Sequence, residues 1–121
     1  MEEGTEGLRV LVKWHDAAIY IYIMLRQIAR SERYTIGAQI RACTVICGAY
    51  IEQANNIRSR NLRVQTIQKA DLELCQLKLL VRLAFDLELI DKQKREQSVR
   101  LLAELGRFLG AWLKSYTMQA G

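Results

Sequence analysis

The sequence predicts an all-α protein, an antiparallel up-down-up-down four-helix bundle. Three observations carry the prediction. The 121 residues include no proline, so nothing in the chain forbids long uninterrupted helices. Apolar residues recur three and four apart through four long segments, the spacing that gathers them on one helix face. The segments are joined by short polar links, and helices of similar length with short links pack most simply as antiparallel neighbours.

The first segment runs from about Arg9 to Arg30. Its Ile19-Tyr-Ile-Tyr-Ile23 run has β-propensity. Leu11, Trp14, Ala18, Ile21, Leu25 and Ile28 nevertheless keep helical spacing across the whole stretch, and that decides for helix. The second runs from Thr35, placed to be its N-cap, to Asn56, with Ile36, Ile40, Cys43, Cys47, Tyr50, Ile51 and Ala54 on its stripe. The third begins near Leu62, with Asn61 the expected cap, and continues to about Leu89. It carries two stripes. Ile67, Ala70, Leu74, Leu77, Val81 and Ala84 form one, and Leu72, Cys75, Leu79, Leu83 and Leu87 form the other. The fourth starts at Asp91 and runs to Tyr116, with Val99, Leu102, Leu105, Leu109, Trp112 and Tyr116 facing inward. Residues 1–7 read as an acidic tail and residues 8–121 as one bundle domain.

A helix in a monomeric bundle needs one apolar face, and the first and third helices have more. Exposed Tyr20, Tyr22, Leu79 and Leu83 would form a large apolar patch, so burial against another copy of the chain is expected. The longest near-continuous apolar stretch, Ala17 to Leu25, is too short to span a bilayer, and the acidic start is unlike a signal peptide. Three cysteines without a secretory signal point to reduced thiols and a cytoplasmic location.

Catalytic signals are weak. His15 is the only histidine, and its neighbour Asp16 turns to a different helix face. Cys43 and Cys47, four apart, have the spacing of metal ligands but lack evident third and fourth partners, and read as small core residues. No glycine-rich phosphate loop is present, so no metal, cofactor or catalytic residue is expected. Gly106 and Gly110, inside the fourth helix, each cost roughly 1 kcal/mol relative to alanine, which implies close approach of another helix.

The charge is organised. The net charge is +5. Setting aside Glu2, Glu3 and Glu6 of the tail leaves 10 of the 13 acidic residues against all 18 basic ones. Arg100, Arg107 and Lys114 recur every seven residues on one stripe of the fourth helix, with Glu104 placed to pair with Arg100 or Arg107. Lys78 and Arg82 form a pair on the third helix. Arg58, Arg60 and Arg63 cluster in the link before it, and Arg26, Arg30 and Arg33 cluster near the end of the first helix. Four basic groups with few acidic neighbours make an electrostatic footprint for RNA or DNA. None of the groups contains an aromatic platform in sequence, so binding through phosphates with weak sequence preference is expected.

Two segments carry a family resemblance. Gln76-Leu-Lys-Leu-Leu-Val-Arg-Leu-Ala-Phe-Asp-Leu-Glu-Leu-Ile90 and Leu105-Gly-Arg-Phe-Leu-Gly-Ala-Trp-Leu-Lys-Ser115 resemble the accessory variability determinant (Avd) proteins of diversity-generating retroelements, and the resemblance extends over nearly the whole chain. A wider group of four-helix proteins encoded in ribosomal RNA intervening sequences typically ends helix two with an Asn-Ile-Ala-Glu-Gly-like segment. Here the region reads Ile51-Glu-Gln-Ala-Asn-Asn56, which favours the retroelement branch. The resemblance implies a homopentamer that binds a reverse transcriptase and its template RNA and supports mutagenic cDNA synthesis, the polymerase chemistry belonging to the partner. It places contacts at Lys78, Arg82 and Arg107 and gives Gly106, Gly110 and Trp112 structural roles. The alternative is a generic oligomeric RNA-binding bundle of the intervening-sequence type. A small helical enzyme that works with converging arginines, as chorismate mutases do, would instead need its cations to meet in an internal pocket.

Overall fold

The structure, a computed structural model, describes the backbone of residues 2–120 and the side chains of residues 5–116. Four helices account for nearly all of it: α1 (Glu2–Leu25), α2 (Ile36–Asn56), α3 (Arg60–Asp86) and α4 (Lys92–Ala120). Helix α1 packs on α2 and α4, and α3 packs on the same two. Each helix therefore lies beside its neighbours in the chain, as an up-down bundle requires. The all-α expectation holds, and Ile19–Ile23 is helical.

The inner stripes meet along the axis. Ile21, Ile40, Ile51, Ile67, Leu74, Leu77, Leu105 and Trp112 are fully buried. Small residues (Cys47, Ala54, Ala70 and Ala84) lie among them without exposure and let α2 and α3 pack closely. Cys43 and Cys47 belong to this interface. The Cys43 thiol donates to the Glu73 carbonyl at 3.2 Å, and Cys47 donates to the Ala70 carbonyl at 3.5 Å. Burial raises both thiols to about 12, with the Glu73 carboxylate adding to the effect at Cys43.

Helix ends depart from expectation in instructive ways. Helix α1 starts at Glu2, so the acidic stretch expected to precede the bundle is helical and its Gly7 is buried. The same helix stops at Leu25, five residues early. The chain turns there through i→i+3 bonds from Arg26, Gln27 and Ile28. Arg33 then reaches back to the freed carbonyls of Ile28 and Arg26, at 3.3 and 3.2 Å. A short 3-10 turn, Arg30–Glu32, leads into α2.

Thr35 occupies the N-cap position of α2, but its hydroxyl donates backwards to Glu32 and leaves the helix uncapped by a side chain. The cap of α3 is Ser59, not Asn61; its Oγ accepts from the Leu62 amide at 3.4 Å. Asp91 caps α4 as expected, with Oδ1 accepting from the Lys94 amide at 2.8 Å. That backbone bond, reinforced by the Lys94 ammonium, holds the Asp91 carboxyl below its usual range. Helix α3 ends in a Schellman turn. The Leu89 amide bonds the Ala84 carbonyl, the Glu88 amide bonds that of Phe85, and Glu88 sits at φ 62°.

The second apolar stripe of α3 is exposed in the single chain. Leu79 is 65% accessible, and Leu72, Cys75, Leu83 and Leu87 are exposed with it. A second apolar surface runs along α1 and α2. Leu11, Val12, Trp14, Val45 and Ala49 line a groove of about 570 Å³ there, with Leu8 and Ile19 exposed along the same helix. His15 borders this groove.

Candidate nucleic-acid interface

Lys78 and Arg82 lie on the side of α3 that turns toward α4. Together with Arg95 they border a groove of about 220 Å³ whose floor is Val81, Val99, Leu102 and Ala103. The sequence spacing places Lys78 and Arg82 together but gives no sign of Arg95, which comes from the next helix. Its guanidinium stacks over Phe85, 4.9 Å from the ring centroid, and that contact aims it across the helix pair. An apolar floor under three cations strengthens their pull on an anion, because fewer waters screen the charges.

Gly106 shapes one end of the arrangement. A Cβ there would stand 3.2 Å from the Lys78 ammonium and 3.4 Å from Leu74, so the missing side chain gives Lys78 its space over α4. The close approach inferred from the glycine pair holds at Gly106. At Gly110 a Cβ would meet nothing within 4 Å.

Along the outer face of α4, Arg100, Arg107 and Lys114 are all exposed, as their seven-residue spacing requires. The heptad rise puts about 10 Å between successive members. Glu104 pairs with Arg107 at 3.3 Å and, across the bundle, with Lys13 at 2.8 Å. Arg100 instead contacts Gln97. The Lys13 hydrogen bond is the main cause of a lowered Glu104 pKa, and Arg107 and Arg100 add to it. The single acidic residue in the stripe is thus neutralised by two cations.

The third predicted cluster divides. Arg58 is exposed near the start of α3. Arg60 donates to the Tyr116 carbonyl. Arg63 points into the protein: Nε donates to the carbonyls of Ala54 and Ile57 at 3.1 and 3.0 Å, and Nη1 to the Tyr116 hydroxyl at 2.8 Å. It closes the last turn of α2 and ties it to α4, a role that charge counting in sequence does not distinguish from a surface contact. This cluster sits at the opposite end of α3 from Arg82, and the structure does not join the two.

The arginines at the end of α1 have company that sequence proximity hides. Arg26 and Arg33 border a depression of about 270 Å³ with Arg41 of α2 and Tyr22. An aromatic ring therefore does belong to one basic group. In sequence Tyr22 stands a full helical turn from Arg26 and reads as part of the apolar run.

Among the described residues no three His, Cys, Asp or Glu side chains stand together as metal ligands, and no helix is long and apolar enough to cross a membrane. The cations line open grooves and outer faces, which suits a binding surface; an enzyme of the chorismate mutase kind needs an enclosed pocket.

Comparison with known proteins agrees with the bundle and its motifs. A crystal structure of a protein of unknown function from the S23 ribosomal protein family of Bacteroides thetaiotaomicron VPI-5482 superposes with a TM-score of 0.83. The two are 19% identical over 90% of this chain and 98% of that one, a likeness of fold. No curated protein matches. The sequence profile of the bAvd-like family matches residues 9–116, taking in all four helices, the Lys78–Arg82 pair and the Gly106–Trp112 segment, and the chain belongs to that family, the Avd-type accessory proteins of diversity-generating retroelements.

Proposed function

We propose that this protein is a non-enzymatic subunit that binds the retroelement reverse transcriptase and its template RNA, and DNA where single strands arise, in support of mutagenic cDNA synthesis. The observation that carries the reading is the convergence of Lys78, Arg82 and Arg95 on one groove beside the Arg100–Arg107–Lys114 row. Phosphates spaced along a backbone suit such a surface, and affinity gained this way falls steeply with salt. Arg58 and Arg60 form a separate basic patch at the far end of α3, where Arg63 holds the corner on which they sit. No cofactor or metal enters the proposal.

The proposal includes a homo-oligomer. The exposed stripe of α3 and the α1–α2 groove are different surfaces of one chain. Pairing one with the other between copies is heterologous, and heterologous pairing closes into a ring when the rotation allows. The family resemblance supplies the number five.

The test is fluorescence anisotropy with template RNA across a salt series, for wild type and for Lys78→Glu/Arg82→Glu, with light scattering on each. Affinity should fall with salt in the wild type and drop at least tenfold in the variant while the assembly persists. Salt-independent binding, or unchanged affinity, would refute the groove as the contact. Capture of purified reverse transcriptase by the same two proteins tests the partner: binding lost only in the variant assigns the groove to the polymerase. Contacts to backbone phosphates also suit a second reading, a general binder of structured RNA, and equal affinity for unrelated structured RNAs would select it.

A further inference from the structure

The corner between α1 and α2 gathers arginines from two helices and the link between them beside a tyrosine. Arg26, Arg33 and Arg41 converge on one depression with Tyr22 at its edge. No ion pair among the described residues uses any of these arginines. The nearest acid in sequence, Glu32, accepts from the Thr35 hydroxyl at 3.0 Å and stands in no ion pair with the three arginines. Bringing three like charges together costs energy that an anion would repay. Arg33 is also fixed in place, because its Nε and Nη2 are held by backbone carbonyls.

Next to it in the chain, though outside the lining of the depression, Tyr34 is 83% exposed, the most exposed large apolar side chain of those described. A solvated aromatic ring one residue from a fixed arginine, with Tyr22 and two further arginines in the depression itself, suits unpaired nucleotides, in which bases stack on a ring and cations track the phosphates. A duplex keeps its bases stacked on each other and has no face to offer, and a peptide of Asp and Glu has no aromatic face to stack on the ring.

We propose that this corner is a second nucleic-acid site, specific for single-stranded segments, in which Tyr34 stacks an unpaired base while Arg26 and Arg41 hold the flanking phosphates. The inference rests on the reading that the protein binds RNA, but it concerns a different surface from the α3–α4 groove. It assigns the two surfaces different tasks: the groove takes backbone phosphates of any structure, and the corner selects strand that is free of pairing.

The experiment uses the full chain and a fluorescein-labelled octauridylate, a matched oligonucleotide with abasic sites, and a duplex of equal length. Tyr34→Ala should weaken octauridylate binding about tenfold, the range expected for one lost stacking contact. Tyr34→Phe should restore it, because the ring and not the hydroxyl does the stacking. The abasic strand and the duplex should bind Tyr34→Ala and wild type alike. Arg26→Gln/Arg41→Gln should weaken the octauridylate and abasic strands together. Lys78→Gln/Arg82→Gln serves as the control for the groove, and the Tyr34 effect should persist in that background. An octauridylate affinity unchanged by Tyr34→Ala would overturn the inference and leave the groove reading standing. So would an equal loss on the abasic strand, or polyglutamate binding the corner as tightly as octauridylate. If only the groove variant loses RNA, the corner is not a site; if only the corner variants do, the groove reading fails instead.

Discussion

One substitution made at two places should move stability in opposite directions. Glycine to alanine inside a helix gains about 1 kcal/mol from backbone entropy and solvation, wherever the new methyl has room. At Gly110 it has room, since no atom would lie within 4 Å of the added Cβ. Gly110→Ala should therefore stabilise by about 1 kcal/mol, or about 4 °C in Tm for a chain of this size. At Gly48 the same methyl would stand 2.3 Å from Cε2 and Cζ2 of Trp14. Ordinary carbon contacts are about 3.6 Å, so the indole must retreat by about 1.3 Å. It is not free to do so, because its Nε1 donates to the Thr44 carbonyl at 2.8 Å, one turn before Gly48 on the same helix.

Overpacking costs about 1–3 kcal/mol, and stretching that hydrogen bond costs about 1 kcal/mol more. Against the helix gain, Gly48→Ala should lose about 1–3 kcal/mol net. Urea unfolding followed by tryptophan fluorescence reads both variants, at one protomer concentration so that assembly contributes equally. The reasoning is refuted if Gly48→Ala matches the wild type with Trp14 emission unchanged. It is refuted equally if Gly110→Ala lowers stability, which would mean that a surface of a second chain covers that part of α4.

Further outcomes are open to measurement. Glu88 holds a left-handed conformation at φ 62°, so Glu88→Gly should raise stability by about 0.5–1 kcal/mol in urea unfolding, with Glu88→Ala giving no such gain. Arg63→Gln removes a cation that joins α2 to α4 and should cost about 2–3 kcal/mol, read as a lower urea midpoint; Arg58→Gln should cost nothing measurable. The Glu104 carboxyl is held below its ordinary 4.5 by Lys13, so its contribution is present above pH 4.5 and is lost as pH falls through the lower folded value. Glu104→Gln should thus be less stable than wild type at pH 7, with the difference shrinking as pH falls below 4.5, by thermal melts across that range. Cys43 and Cys47, raised to about 12, should not react with Ellman's reagent at pH 8 until urea unfolds the chain. Cys75, exposed on the α3 stripe, should be protected in the assembled protein and react once Leu79→Glu dissociates it.

Much of this molecule is written in local pattern. The 3.6-residue period determines the four helices and most of each buried side: every residue from Ile67 to Ala84 predicted inward on α3 is inside, whereas Val99, read as inward on α4, is 50% exposed and lines the Lys78–Arg82 groove. The seven-residue spacing determines that Arg100, Arg107 and Lys114 share an outer stripe, because side-chain direction repeats along one helix whatever packs against it. Asp91 as a cap follows for the same reason, its bond reaching only three residues. What only the tertiary structure decided lies between helices. Helix α1 ends at Leu25 with neither glycine nor proline to stop it, because Ile28 must be buried and Arg33 captures the freed carbonyls. Arg63 becomes a strut and Arg95 joins Lys78 and Arg82 only once α4 lies against α3 in one register. Tyr22 and Arg41, nineteen residues apart, meet at the α1–α2 corner in the same way. A sequence period fixes an angle around one axis; the distance between side chains on two axes depends on how far the helices slide along each other, and that is set by the interlocking of the whole core.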